Sequence, residues 1–411
     1  MAARTRNRSG LRCAALLLAV LLGGTSSLAA QDGGEQDNLL QILRRNFAVG
    51  SLDVKIQVIE DAARMERGGF GPLYATAINY VLDNATLWLT DTRFTRIGPT
   101  VVQQIGAEAY APSQYDMWRL FQVADEPALQ IDIANAWIAI AEGGGEIDVP
   151  MVAEIDRWLA RRNAEFRGGQ LPRVPVLTAV IDALGAFGQP SSFVPLFSAL
   201  FAGYTDEVVA HAEAALAKSG GPLAEQLQNI MAQAAFEDRL NAYRMALSAD
   251  TVTDDERGAL SEQALALGVG IVTRDLVEKA IAREMRFLAV RELVSLSWAR
   301  AAPLAIDNFN LVLDELDRGI VGRERLLEAI SLMAIVGTRD AAARLGQYLV
   351  LTNALVEGGG AYDATVVVAL LEALGALGDN IVADDLIYVS YLDYNDDVKR
   401  AARRAFDNLK F

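Results

Sequence analysis

The chain has 411 residues, 52% of them hydrophobic, and 53 acidic against 37 basic side chains give a formal net charge of −16. That acidity makes nucleic acid and anionic lipid surfaces poor partners, because both repel it. A single histidine, and no cysteine after Cys13 in an N-terminal segment that reads as removed, exclude His/Cys zinc centres, Cys–His nucleophilic pairs and any disulfide in the mature chain.

Taken from the start, residues 1–30 read as an address. Arg4, Arg6, Arg8 and Arg12 form a basic segment, "CAALLLAVLL" (13–22) is apolar, and "TSSLAA" (25–30) supplies small residues for cleavage after Ala30. This is the layout of a secretory signal peptide, and the apolar run is too short to span a bilayer. The "GLRC" around Cys13 lacks the small residues that precede a lipidated cysteine. The expected mature chain is exported, most simply to a bacterial periplasm. No later stretch reaches the roughly 18 uninterrupted apolar residues of a membrane span, so no transmembrane segment is expected.

After residue 37, apolar residues recur at i, i+3, i+4 and i+7, the helical period, and strand alternation is missing. Pro72, Pro99, Pro127, Pro150, Pro222 and Pro303 stand where periodic segments begin, the position at which a missing N–H costs least. The spacing predicts about 20 helices joined by short turns rich in Gly, Asp and Asn. Residues 31–172 form a divergent half, in which "DNATLWLTDTRFTR" (83–96) and "AYAPSQYDMWRLFQ" (109–122) break the regularity. "RGGQLPRVP" (167–175) is the best internal boundary before a regular half, 173–411. "AEGGGEID" (141–148) and "VEGGGAYD" (356–363) are a matching pair of glycine-rich connectors.

The regular half repeats itself. Residues 181–216 align without a gap on 371–406, and 11 of the 36 positions are identical, among them Leu184/Leu374, Gly185/Gly375, Gly188/Gly378, Tyr204/Tyr394 and Ala215/Ala405. A third copy pairs Gly337 with Gly378 and Met333 with Leu374. Asp206-Glu207 and Asp396-Asp397 read as caps and first-turn acids of the second helix of each unit. Gly378 reads as a helix stop, and Gly375 as a small residue required where a neighbouring helix packs close.

With "DDVKRAARRAFDNL" (396–409) and "ALLEALGALGD" (369–379) quoted, the chain resembles HEAT-like repeats, also called PBS-lyase HEAT-like repeats, within the armadillo-type class. Asp397, Val398, Lys399, Ala401, Ala402, Ala405, Leu374, Gly375, Gly378 and Asp379 carry the likeness. The best copies are 174–220, 322–350 and 365–411. The resemblance implies an all-α fold, an α-solenoid of stacked antiparallel helix pairs, whose surface binds other proteins.

The inventory for catalysis is thin. His211, inside "VVAHAEAAL", faces Ala401 in the other copy and reads as packing. No G-x-S-x-G, GxxxxGK[ST] or GxGxxG motif occurs; "GVGIVT" (268–273) lacks the third glycine. "DYNDDVKRAARR" (393–404) opens like a calcium loop but has Val398 where glycine is needed and Arg404 where the bidentate glutamate belongs. Four of the five tryptophans lie in the divergent half; Trp88, Trp118 and Trp158 are candidates for a partner surface, against a plain core reading. The expectation is an exported, non-enzymatic scaffold that binds a protein of unknown identity and needs no cofactor or metal. A carboxylate-dependent hydrolase of cell-wall or exported polysaccharide is the alternative, because 53 acids make paired carboxylates unavoidable.

Overall fold

The computed structural model describes residues 25–410 apart from 66, 89, 90 and 92. The basic and apolar parts of the signal segment, with Cys13, therefore lie outside the described residues, and Thr25–Ala30 form the first turns of a helix. The chain divides into two compact units, Met1–Gly220 and Gly221–Phe411, and the 167–175 stretch lies inside the first.

Among the described residues every regular element is helical. The first unit holds α1 (Thr25–Val49), α2 (Leu52–Arg64), α3 (Gly71–Asp83), α4 (Ala85–Trp88), α5 (Phe94–Ala107), α6 (Gln114–Val123), α7 (Pro127–Glu142), α8 (Val149–Arg167), α9 (Val174–Phe187), α10 (Phe193–Leu200) and α11 (Asp206–Leu216). The second holds α12 (Leu223–Gln233), α13 (Phe236–Ser248), α14 (Asp254–Val269), α15 (Leu276–Ser295), α16 (Ala302–Asp317), α17 (Arg323–Val336), α18 (Arg339–Glu357), α19 (Ala364–Leu377), α20 (Ala383–Val389) and α21 (Asp396–Asp407).

Most helices pack on a chain neighbour and on the helix two further along. That pattern builds two layers. In the first unit one layer runs α3, α5, α7, α9, α11 and the other α6, α8, α10; in the second the corresponding rows are α13, α15, α17, α19, α21 and α12, α14, α16, α18, α20. Each unit is thus an α-solenoid, and its core is the apolar seam between layers, with Ile133, Trp137, Leu184, Leu293, Leu345 and Leu374 all fully buried.

One close contact sets the pitch of the first-named layer. A Cβ placed on Gly375 of α19 would lie 2.8 Å from the Cα of Ala405 in α21. Gly185 of α9 stands in the same relation to Ala215 of α11, also at 2.8 Å, and Gly106 of α5 to Ala136 of α7 at 3.0 Å. Glycine and alanine here let two helix backbones touch, which no larger pair permits. The Gly106 contact extends the repeat into the half that the sequence left unassigned. Just beyond it, Ala109 adopts the left-handed backbone (φ 47°) that Gly188 and Gly378 adopt at φ 60° and 67°. A short 3-10 turn then follows in all three places: Ala111–Ser113, Pro190–Ser192 and Asn380–Val382. An alanine in the glycine position had hidden this repeat.

A second repeated device is polar. Tyr204 donates to Asn163 Oδ1 at 3.2 Å, and Asn163 Nδ2 donates to the Pro195 carbonyl at 2.9 Å. Tyr394, Asn353 and the Asp385 carbonyl repeat it at 2.9 and 3.3 Å. Burial pushes both phenols up to about 12, which keeps them protonated donors. These two tyrosines are structural pins between consecutive helix pairs.

Three local expectations need correction. Pro99 lies inside α5 rather than at its start, because Phe94–Gly98 add an earlier turn; so near the helix end the missing N–H costs a single bond. The helix caps are Thr205 and Asn395, not the aspartates after them, and Asn395 Oδ1 accepts from the Val398 amide at 3.0 Å. The two GGG connectors are not equivalents of one another: 356–363 joins α18 to α19, and its counterpart joins α8 to α9 through Gly168 and Gly169.

The Gly375 contact makes a direct forecast. Gly375→Leu drives a side chain into the α21 backbone, and overpacking of this kind costs on the order of 3 kcal/mol. The urea midpoint of the full chain should fall accordingly; an unchanged midpoint would refute the close-packing account. Tyr394→Phe, which strands the Asn353 acceptor, should cost about 1–3 kcal/mol in the same assay.

Candidate functional site

Trp118 is 2% exposed, and it joins Phe121 and Trp137 in a core cluster with ring centroids 5.4 to 6.2 Å apart. Its place is packing, so it presents no face to a partner. The amphipathic period brought it inward: α6 buries Met117, Trp118, Leu120 and Phe121 together. Trp88 ends the short helix α4. The side chain of Trp88 lies outside the described residues, and Trp158 differs from Trp118. It sits edge-on to Phe121 at 5.5 Å, is half-buried, and borders an open groove of about 380 Å³.

That groove lies where the end of α8 and the start of α9 meet the turn between α6 and α7. Arg162, one helical turn after Trp158, places its guanidinium 5.3 Å from the indole centroid and donates to Glu165 at 2.6 Å. Arg173, which precedes α9, donates to both the Asp125 carbonyl and its carboxylate at 2.8 Å, tying the rim together. Leu171 and Val123 stand at the mouth, 91% and 55% exposed. Large apolar side chains thus stand in water beside an aromatic floor, an exposed apolar patch of the kind that often meets a ligand or partner.

The second unit carries the same groove, 190 residues on. It has about 400 Å³ and lies against the end of α18 and the start of α19. Tyr348 stands where Trp158 stood, Leu355 replaces Glu165 and Tyr362 replaces Pro172. Leu351 and Leu355 are 65% and 51% exposed, so this copy is the more apolar. Its rim is tied by an ion pair of reversed polarity: Arg323 donates to Asp363 at 3.2 Å, and Asp363 occupies the place of Arg173. Burial alone would raise the Asp363 carboxyl, but Arg323 and the Thr365 and Val366 amides hold it below its ordinary value.

No family model matches the chain, and no curated protein matches it. Among solved structures, a chain from work on the phosphorylation switch that controls the interaction between cadherin and β-catenin is similar over 90% of this chain and 94% of that one. Sequence identity is 12% and the TM-score 0.34. The fold assignment rests on the helix layers described above.

Sequence reasoning reached Trp158 and missed Leu171, Arg173, Tyr348, Leu351, Leu355 and Tyr362. The usable signal was there. Continued upstream, the 190-residue register also matches Asn163 with Asn353, Gly168–Gly169 with Gly358–Gly359 and Val176 with Val366. His211 lies on the surface, its Nδ1 2.7 Å from Asp182 Oδ1, and joins α11 to α9. The calcium-like string is the start of α21, where Asp396 and Asp397 are first-turn acids. Among the described residues no group of three or more Asp, Glu or His side chains converges on a metal-sized site. Nor, among them, is any helix long and apolar enough to cross a membrane.

One buried carboxylate in the first unit stands apart. Asp156 of α8 is 8% exposed, its oxygens make no well-formed hydrogen bond, and burial raises its pKa despite the nearby Ser191 and Ser192 hydroxyls. At the equivalent place the second unit has Gly346 against Val382, where an added Cβ would meet the valine methyl at 2.7 Å. A carboxyl whose folded-state pKa is raised binds its proton more tightly when folded. It is therefore neutral at no cost below the ordinary Asp range; the cost grows as pH rises from that range to the raised value and is fully present above it. Asp156→Asn should raise the melting temperature at pH 8 and lose that advantage by pH 4; a pH-independent change would show that the carboxylate is satisfied.

Proposed function

We propose that this chain is an exported, non-enzymatic solenoid that captures a segment of a partner protein in its two equivalent grooves. The observation that carries the reading is the recurrence itself. The same edge of the same helix pair opens in both units, with exposed leucines beside an aromatic floor and a tied, charged rim. Packing alone would have let the two copies drift apart. A volume near 400 Å³ accommodates a few anchoring side chains rather than a folded domain. Each groove therefore takes a short peptide stretch with apolar anchors, and the two rims of opposite polarity let the grooves prefer different neighbours to those anchors.

The basic and apolar N-terminal segment supports export, with Gln31 as the first residue of the mature chain. The hydrolase alternative gains no support from the Trp158 groove. Its two carboxylates, Asp125 and Glu165, are each already engaged by an arginine, at 2.8 and 2.6 Å.

Site-specific photo-crosslinkers at Leu171 and at Leu351, placed in the full chain and activated in cells, test both parts. The expected result is a discrete protein adduct from each groove on a chain that begins at Gln31. Leu171→Asp and Leu351→Asp should each reduce capture by at least tenfold while the melting curve stays unchanged. Capture insensitive to both substitutions, or a chain retaining residues 1–30 inside the cytoplasm, would overturn the reading.

A further inference from the structure

The second unit has a separate cleft that the partner reading does not use. It measures about 260 Å³ and lies between the C-terminal ends of α14 and α16, over α15. Four cations line it, Lys279, Arg283, Arg286 and Arg318, against two carboxylates, Asp314 and Glu315. In a chain of net charge −16 this is a local reversal of sign.

Arg286 is its centre. The residue is 1% exposed, and its Nη2 donates to Glu315 Oε2 at 2.5 Å. Arg283 Nε donates to the other oxygen of the same carboxylate at 3.1 Å. One carboxylate is thus divided between two guanidinium groups, and the buried triad keeps a surplus positive charge. Nε and Nη1 of Arg286 find no acceptor among the described residues. The face of Phe287, 5.2 Å from the Arg286 guanidinium, helps only in part, because Arg325 lies 4.3 Å from the same ring. Asp314 is occupied by Arg318 at 2.9 Å. Lys279, exposed at the rim, has no ion pair among the described residues.

This arrangement is built rather than incidental. A Cβ on Gly268 of α14 would lie 2.7 Å from the Ala282 carbonyl and 2.9 Å from Cβ of Arg286. Glycine at 268 is what lets α15 come close enough to set Arg286 beneath the cleft. A buried cation is tolerated when paired and hydrogen-bonded, and half a carboxylate meets neither condition fully. A second anion in the cleft, against Arg283 and Lys279, would neutralise the surplus charge. The guanidinium fork matches the planar or tetrahedral oxygens of a carboxylate or phosphate.

We propose that this cleft binds a small oxyanion, a carboxylate or phosphate group, held by Arg286 and Arg283 from below and by Lys279 at the rim. The volume suits one such group and excludes a nucleotide or an oligosaccharide. Binding is independent of the grooves, so either proposal stands if the other fails.

The test is calorimetric titration of the full chain with succinate and, separately, inorganic phosphate, at constant ionic strength. Saturable 1:1 binding of at least one anion is expected, and the tighter of the two identifies the source of the group. Lys279→Glu, an exposed change that leaves the core intact, should weaken it at least tenfold. Arg286→Met should abolish it while the protein melts at or above the wild-type temperature, since an apolar side chain replaces a half-compensated charge. If Arg286→Met does not fold, Lys279→Glu alone decides. Absence of saturable binding by both anions, or binding that Lys279→Glu leaves unchanged, would overturn the proposal.

Discussion

The approach of a glycine on one helix to an alanine two helices further on is the contact from which the rest of each unit follows. Where Gly106, Gly185 and Gly375 meet Ala136, Ala215 and Ala405, the two backbones touch. The spacing of that layer is then fixed by peptide atoms and not by adjustable side chains. A layer with a fixed spacing imposes its register on the other layer, since the apolar residues between them interdigitate at native density. The grooves lie at the edge of this seam. Their floors are the outermost aromatic residues of the core, and their position is inherited from contacts that have nothing to do with binding.

Polar devices sharpen the same register. The buried Tyr–Asn–carbonyl chain occurs in both units with the same sequence separations, and each member has the partner it needs. A one-residue slip would leave an amide and a phenol unpaired inside, at a cost of about 1–3 kcal/mol per stranded group. Such a penalty selects one register among several that apolar contacts alone would tolerate. Asp156 shows the opposite case. Where the second unit closes the space with Gly346 and Val382, the first holds a carboxylate and serines whose polar atoms are not all satisfied, so equal backbones carry unequal interiors.

How much of this was legible depends on whether the signal was a residue type or a relation. The helices followed from apolar periodicity, and the left-handed stops at Gly188, Gly337 and Gly378 from glycine itself. The role of Gly375 was legible because three copies could be compared. The N-terminal repeat was not, since Ala109 takes the left-handed conformation without being glycine, which sterics disfavours and surrounding structure must impose. Trp118 was ambiguous for a different reason. A tryptophan at helical spacing looks the same facing the core or a partner, and only the neighbouring layer decides. The groove residues lay upstream of the window in which identity was dense, at positions where the copies differ by design of charge and size.

Those differences are what separates a repeated fold from a repeated site. Each rim carries an arginine–carboxylate tie, of exchanged polarity: Arg173 to Asp125 in one, Asp363 to Arg323 in the other. An exposed ion pair contributes only about 0–1 kcal/mol to stability. It does order the turn that walls the groove, and it sets the sign of the field at the mouth. The cleft over Arg286 obeys the same logic from inside. There the charge is buried, the interaction is correspondingly strong, and the glycine at 268 is the structural concession that makes a guanidinium at that depth possible.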